Sequence, residues 1–181
     1  MGSGLKRKLQ YSDLPVEPSD GKRYELIRGE LFVTPSPTTV HQRISKRLLA
    51  LLMAYFEGRS IGEVFHAPTD VILTDRDIFV PDLLVVRDPS HISKRGIEKP
   101  PLLVVEILSP STGRRDRGTK ARRYAELGVG HYWIVDPEEK RIECYRLDPD
   151  AFRRVIDAQG ETTLAHPDWH GLVIDLATLW R

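Results

Sequence analysis

The chain has 181 residues, 40% of them hydrophobic and 29% charged, a balance that excludes a disordered or membrane-embedded protein and suits one domain of ordinary size. Its formal charge is +1, from 27 Lys and Arg against 26 Asp and Glu, so bulk charge does not make it a nucleic-acid coat, and any such contact is a local patch. The lone cysteine, Cys144, excludes an internal disulfide and a cysteine-rich zinc site, which fits a reducing, cytoplasmic setting.

"MGSGLKRKLQYSDLP" carries basic residues but no apolar stretch after them, so no secretory leader is expected. After this lead-in, "YELI" and "ELFVT" flank Arg28-Gly29 and predict a hairpin, with Pro35 and Pro37 ending its second strand. Val40, Ile44, Leu48, Leu51, Leu52 and Tyr55 then fall three or four apart, the apolar stripe of a helix. Thr38 or Thr39 suits its N-cap, and Gly58 its end. "GEVFHAPTDVILTDRDIFVPDLLVV" predicts three short strands broken by Ala-Pro and "TDRD", and "LLVVEILS" another. "STGRRDRGTKARRYAELGVG" reads as a helix ended by its glycines, followed by strands "HYWIVDP" and "RIECYRL" about a turn at "PEEK". The tail, "GLVIDLATLW", reads equally as strand or helix. This order predicts an α/β fold, a mixed β-sheet flanked by helices, in a single domain over residues 1–181.

Two of these strands each hold one acid in an apolar run: Asp82 in "IFVPDLLVV" and Glu106 in "LLVVEILSPST". An isolated buried carboxylate costs several kcal/mol unless something compensates it. Alternation puts Leu102, Val104, Glu106 and Leu108 on one face, with Glu106 near the strand's carboxyl end. Pro81 weakens the ladder beside Asp82, so both acids can converge at one sheet rim. A shared divalent cation such as Mg²⁺, which takes carboxylate oxygens, is one compensation. Separate ion pairs with Arg or Lys, or strand ends facing solvent, are the other.

On the helix that follows, Asp116, Lys120 and Tyr124 lie four apart along one face. A short loop folds this helix back over the strand end, which aims Lys120 at the two acids. Two acids and a lysine are the set that metal-assisted phosphodiester hydrolysis requires. The alternative is a solvated Asp116–Lys120 surface pair of little energetic weight.

The combination of "VPD", "VVEILSPST", Asp-x-x-x-Lys-x-x-x-Tyr and "GVGHYWIVDP", with "YELIRGELFVTPSP…H" upstream, resembles the Uma2-like family of the PD-(D/E)XK nuclease superfamily, from about Tyr24 to Leu147. The resemblance implies a restriction-endonuclease-like core and Mg²⁺-dependent cleavage of DNA, with Mn²⁺ as a substitute ion. Carried onto this chain, it makes Asp82 and Glu106 metal ligands and the Ile107 carbonyl a third. It makes Glu30 an upstream acid near the metal, and it matches His41 at the head of the long helix. The superfamily's lysine position is taken by Leu108, and in Uma2-like sequences the lysine sits on the next helix, here Lys120. Nucleases that cut both strands often pair two sites by two-fold symmetry, which leaves a homodimer open as an assembly that the sequence alone does not establish. A catalytically inactive module that binds DNA or a protein partner is the competing expectation, and the near-neutral charge leans that way.

"GRRDRGTK" nearly spells a phosphate-binding loop, but its order is Gly-Thr-Lys where Gly-Lys-Ser/Thr is required. His66, His91, His131, His166 and His170 show no metal-binding spacing and are read as structural or surface residues. Tyr132 and Trp133 are read as packing rather than a base-stacking platform. A carboxylate-pair glycosidase ranks last, because it would leave the lysine idle.

Overall fold

The computed structural model describes residues 7–15, 21–110 and 112–181. The expectation about a leader falls partly on residues 1–6, outside the described residues. β1 (Arg23–Ile27) and β2 (Glu30–Thr34) form the expected hairpin. Arg28 and Gly29 both take positive φ, 52° and 75°, the two-residue turn whose twist matches paired strands. α1 (Thr39–Leu52) begins at Thr38, whose hydroxyl accepts from the His41 N–H, and continues as a π-helical turn, Met53–Glu57. Its inward stripe runs through His41, Ile44, Leu48 and Leu52 to Tyr55 and Phe56. Val40 is 53% exposed. The stripe starts one residue later than the apolar pattern suggests, and a histidine takes the first inward place.

The stretch expected to give three strands gives four: β3 (Glu63–His66), β4 (Val71–Thr74), β5 (Asp77–Phe79) and β6 (Leu83–Val86). The apolar run "IFVPDLLVV" is not one strand. Pro81 lacks an N–H and cannot continue the ladder, and there the chain passes from one sheet to another. β5 belongs to a four-stranded antiparallel sheet, β2-β1-β5-β4. β6 belongs to a six-stranded sheet with β7 (Leu103–Ile107), β8 (His131–Asp136), β9 (Arg141–Leu147) and β10 (Phe152–Gln159), in the order β10-β9-β8-β7-β6-β3. Only β7 and β8 run parallel in it. A parallel pair needs a crossover. It is supplied by α2 (Gly113–Arg115), a π-helical turn (Asp116–Lys120) and α3 (Ala121–Glu126). The tail is both strand and helix: β12 (Val173–Asp175), paired with β11 (Thr163–Ala165), leads into α4 (Leu176–Trp180).

Strand alternation sorts the six-stranded sheet into two buried faces. Leu83, Val85, Leu103, Val105, Ile107 and Trp133 pack under α1 and the C-terminal elements. Leu84, Val86, Val104, Tyr132 and Ile134 pack with Tyr124 of the crossover helix and with Ile27 and Phe79 of the smaller sheet. Each fully buried aliphatic side chain contributes about 1.5–3 kcal/mol to this sandwich. Tyr132 and Trp133 are 0% exposed, as the packing reading expects. No helix among the described residues is long and apolar enough to cross a membrane.

Candidate active site

The second of these faces carries Glu106, and the break at Pro81 carries Asp82. Both acids line one cleft of about 450 Å³, together with Arg23, Glu25, His41 and Lys120. Each of the six arrives for a local reason. Arg23 and Glu25 alternate on β1, so one face of the hairpin presents both. His41 is the first inward residue of α1. Asp82 leaves the ladder after Pro81, and Glu106 is the inward residue next to the end of β7. Lys120 ends the π turn of the crossover helix, which stands over β7.

Asp82 is 4% exposed and fully engaged. Its Oδ1 takes Arg23 Nη1 at 2.6 Å, and its Oδ2 accepts the Ile107 N–H at 2.8 Å. His41 Nε2 lies 3.1 Å from Oδ2. Burial alone would raise this carboxyl's pKa, but His41, Arg23 and the Ile107 N–H outweigh burial and hold it below the usual range. The Ile107 N–H therefore ties the two acid-bearing segments together.

Glu106 Oε1 takes Lys120 Nζ at 2.7 Å and the Tyr124 hydroxyl at 3.1 Å. Lys120 is 2% exposed, so it is not half of a surface pair. Its Nζ also meets Glu25 Oε1 at 2.8 Å and Asp116 Oδ1 at 3.7 Å. Burial works against the ammonium, yet Glu106, Glu25 and Asp116 together raise its pKa, and it stays charged. Glu106 is pushed up to about 8, first by burial and then by Asp116, Asp82 and Glu25, against the pull of Lys120. The Asp116 carboxyl is raised by burial, and its Oδ1 is buried without a hydrogen-bond partner. Burial and Glu106 raise the Tyr124 phenol well above its ordinary value, so it remains a neutral donor.

With Glu106 ionised the charges do not balance, which is why its proton is held so firmly. Four buried carboxylates, Glu25, Asp82, Glu106 and Asp116, face three permanent cations, Arg23, Arg115 and Lys120. The set fits a hard divalent cation by its chemistry: carboxylate oxygens from separate segments, one buried oxygen unpartnered, and negative charge in excess.

Of the residues named from sequence, the structure brings together Asp82, Glu106, Lys120, His41, Asp116 and Tyr124, and Ile107 lines the same cleft. Glu30 stands apart. It is exposed and bonded to Lys8 at 2.8 Å. The acid of that hairpin inside the cleft is Glu25, 2% exposed, which also accepts the Val80 N–H at 3.0 Å. Its signal was its alternation with the apolar Tyr24 and Leu26 in "RYEL". Arg115, 3.4 Å from Glu25, was a second residue that sequence reading passed over, hidden in an arginine-rich run. Two other arginines there are committed elsewhere. Arg117 bonds Glu143 and Asp136, and Arg123 grips Asp77 with two bonds of 2.8 Å. Arg95 of "SKRGIEK" lies over the Tyr11 ring.

A mixed sheet whose broken strand edge gathers acids around a buried lysine is an arrangement of the restriction-endonuclease-like class. The chain belongs to the Uma2 family, described as "Putative restriction endonuclease", which it matches over residues 9–177. Among curated proteins it is similar to an uncharacterized protein of Synechocystis, 28% identical over 153 residues that cover 83% of this chain and 80% of the relative. Among solved structures it is similar to one described as a putative nuclease belonging to DUF820, from Anabaena variabilis. That match has a TM-score of 0.73 at 20% identity and covers 94% of each chain, a likeness of fold.

Proposed function

We propose that the chain is a metal-dependent endonuclease that hydrolyses phosphodiester bonds of DNA. The observation that carries this reading is the convergence of Asp82, Glu106 and Lys120 from three separate segments in one cleft. Asp82 and Glu106, with the Ile107 carbonyl, would hold a Mg²⁺ ion, which lowers the pKa of a bound water and offsets phosphate charge. Lys120 has the reach and the permanent charge to orient the attacking water at the scissile phosphate. Glu25 holds the Lys120 ammonium as well, at 2.8 Å. Tyr124 fixes the Glu106 carboxylate by its hydroxyl. Arg23 and Arg115, part-buried on the cleft wall, can meet the phosphate oxygens. Cutting both strands needs two such sites, which a two-fold homodimer provides.

The test is cleavage of supercoiled plasmid with Mg²⁺ or Mn²⁺, comparing wild type with Glu106→Gln and Asp82→Asn purified identically. Cleavage lost in both variants, with the fold intact by circular dichroism, is the expected result. Equal cleavage in both would sink the site assignment. A second reading, a DNA- or protein-binding module without catalysis, draws on one observation: Asp82 has its partners already in Arg23, His41 and the Ile107 N–H. Manganese soaked into crystals separates the two. An anomalous peak between Asp82 and Glu106 belongs to the enzyme, and its absence, with and without a short DNA duplex, belongs to the module.

A further inference from the structure

Among the described residues, one group of three metal-type side chains has its ligand atoms within 4.8 Å of one another, and it lies outside the cleft: His131, His166 and Asp168. The three come from distant parts of the chain. His131 opens β8, while His166 and Asp168 follow β11 in the C-terminal segment. His131 Nδ1, His166 Nε2 and Asp168 Oδ2 are each buried without a hydrogen-bond partner. Buried polar atoms are nearly always paired, and three such orphans in one group of residues are unusual.

We propose that His131, His166 and Asp168 bind a zinc-class transition-metal ion that fastens the C-terminal segment to the start of β8. The donors are two imidazoles and one carboxylate oxygen, a set that suits Zn²⁺ in tetrahedral coordination with a water in the fourth position. Asp168 is oriented for it. Arg146 Nη1 holds Oδ1 at 2.5 Å, which leaves Oδ2 as the free oxygen, the kind of outer support that fixes metal ligands. The His166 ring is fixed by stacking on Trp169, 4.3 Å between centroids, and on Trp133, 5.4 Å. It offers either nitrogen: Nδ1 by giving up a 3.2 Å hydrogen bond from the Asp168 N–H, or Nε2 by a shift of the ring proton. Burial pushes both imidazoles down to about 4, so at neutral pH each presents an uncharged ring. His131 Nδ1 and Asp168 Oδ2 are 3.9 Å apart. Ligands about 2.0–2.2 Å from one ion sit roughly 3.3 Å apart, so that pair closes by less than about 1 Å, and the other pairs, within 4.8 Å, by at most about 1.5 Å. Asp168 is the least buried of the three, its side chain 19% exposed.

The proposal is independent of the nuclease reading, and its test does not use cleavage. The chain is stripped with EDTA and titrated with Co²⁺, whose visible absorption reports tetrahedral coordination. The Glu106→Gln variant serves as the host, so that the carboxylate cleft contributes nothing. One equivalent of Co²⁺ giving an intense visible band, displaced by Zn²⁺, is expected. Asp168→Asn and His166→Gln should each weaken binding by at least about 100-fold. Zn²⁺ should raise the midpoint of thermal unfolding in the host and leave it unmoved in Asp168→Asn, a variant that keeps the side-chain volume. No band in the host, or the same band in both variants, overturns the proposal.

Discussion

Replacing Lys120 by Met tests whether one ammonium holds the buried acids together. Methionine keeps a flexible apolar stem of similar length, so packing under α3 is largely retained. What is lost is a charge, 2% exposed, at 2.7 Å from Glu106 Oε1, 2.8 Å from Glu25 Oε1 and 3.7 Å from Asp116 Oδ1. Stranding buried partners in this way costs about 3–5 kcal/mol, a large share of the roughly 5–15 kcal/mol that holds a domain folded. The cost has a defined pH dependence. A carboxyl whose folded pKa is raised contributes stability below its ordinary pKa and loses it as pH rises through the folded value. Glu106 already stands at about 8 against an ordinary 4.5, and removing the ammonium raises it further. Below pH 8 Glu106 is protonated in both chains, so the part of the cost that it carries opens only above pH 8, and the variant falls further behind at pH 9.5 than at pH 7. Urea unfolding at the two pH values, read from midpoints at equal slopes, measures the difference. A variant within about 1 kcal/mol of wild type at pH 9.5 refutes the charge argument.

Glu106→Gln leaves three carboxylates facing three cations, so it is expected to unfold at or above the wild-type urea concentration at pH 8, while losing metal binding and cleavage. Mn²⁺ bound at the cleft must displace a proton from Glu106 below pH 8. Its affinity should rise by up to about ten-fold per pH unit between pH 6 and 8 and then level off, with proton release visible by calorimetry in two buffers. Gly29→Ala should cost about 1–2 kcal/mol in thermal unfolding. It puts a side chain at φ +75°, with its Cβ 2.9 Å from the Leu9 carbonyl, and it loosens the hairpin that carries Arg23 and Glu25.

Most elements with a strong period were legible from the residues. Arg28-Gly29 announced the hairpin, and apolar residues three and four apart announced α1. The strand through Glu106 was also plain, because branched residues crowd it. Pro81 was visible but its effect was underread. An apolar run gives no sign of which sheet it serves, and only the pairing partners of β5 and β6 separate the two halves. β10 escaped because "FRRVIDAQ" is charged and half-exposed, as an edge strand must be. Lys120 was legible through its helical phase with Asp116 and Tyr124. Glu25 and Arg115 were not, because Glu25 meets Lys120 and Arg115 only where β1 packs against the crossover helix. The histidine cluster was invisible for the same reason: metal spacing in sequence reports ligands on one element, and His131 and His166 meet only through the tertiary fold.

The imbalance in the cleft bears on which reading of the chain is stronger. A module needing only its fold would gain by losing a buried acid, since replacing buried ions by uncharged groups is often neutral or stabilising. Asp82 does not make the problem, because Arg23, His41 and the Ile107 N–H answer its charge. The excess falls on Glu106 and Asp116, which share one lysine with Glu25, and an Asp116 oxygen is left with no hydrogen bond. That is where an added positive charge lowers the energy most. A Glu106→Gln chain more stable than wild type, yet unable to bind Mn²⁺, would mean that stability is given up at this carboxylate for the sake of a ligand, the usual direction of exchange at a working site. A Gln chain that is less stable would mean that the carboxylate serves the fold, and the case for the module would then be the better one.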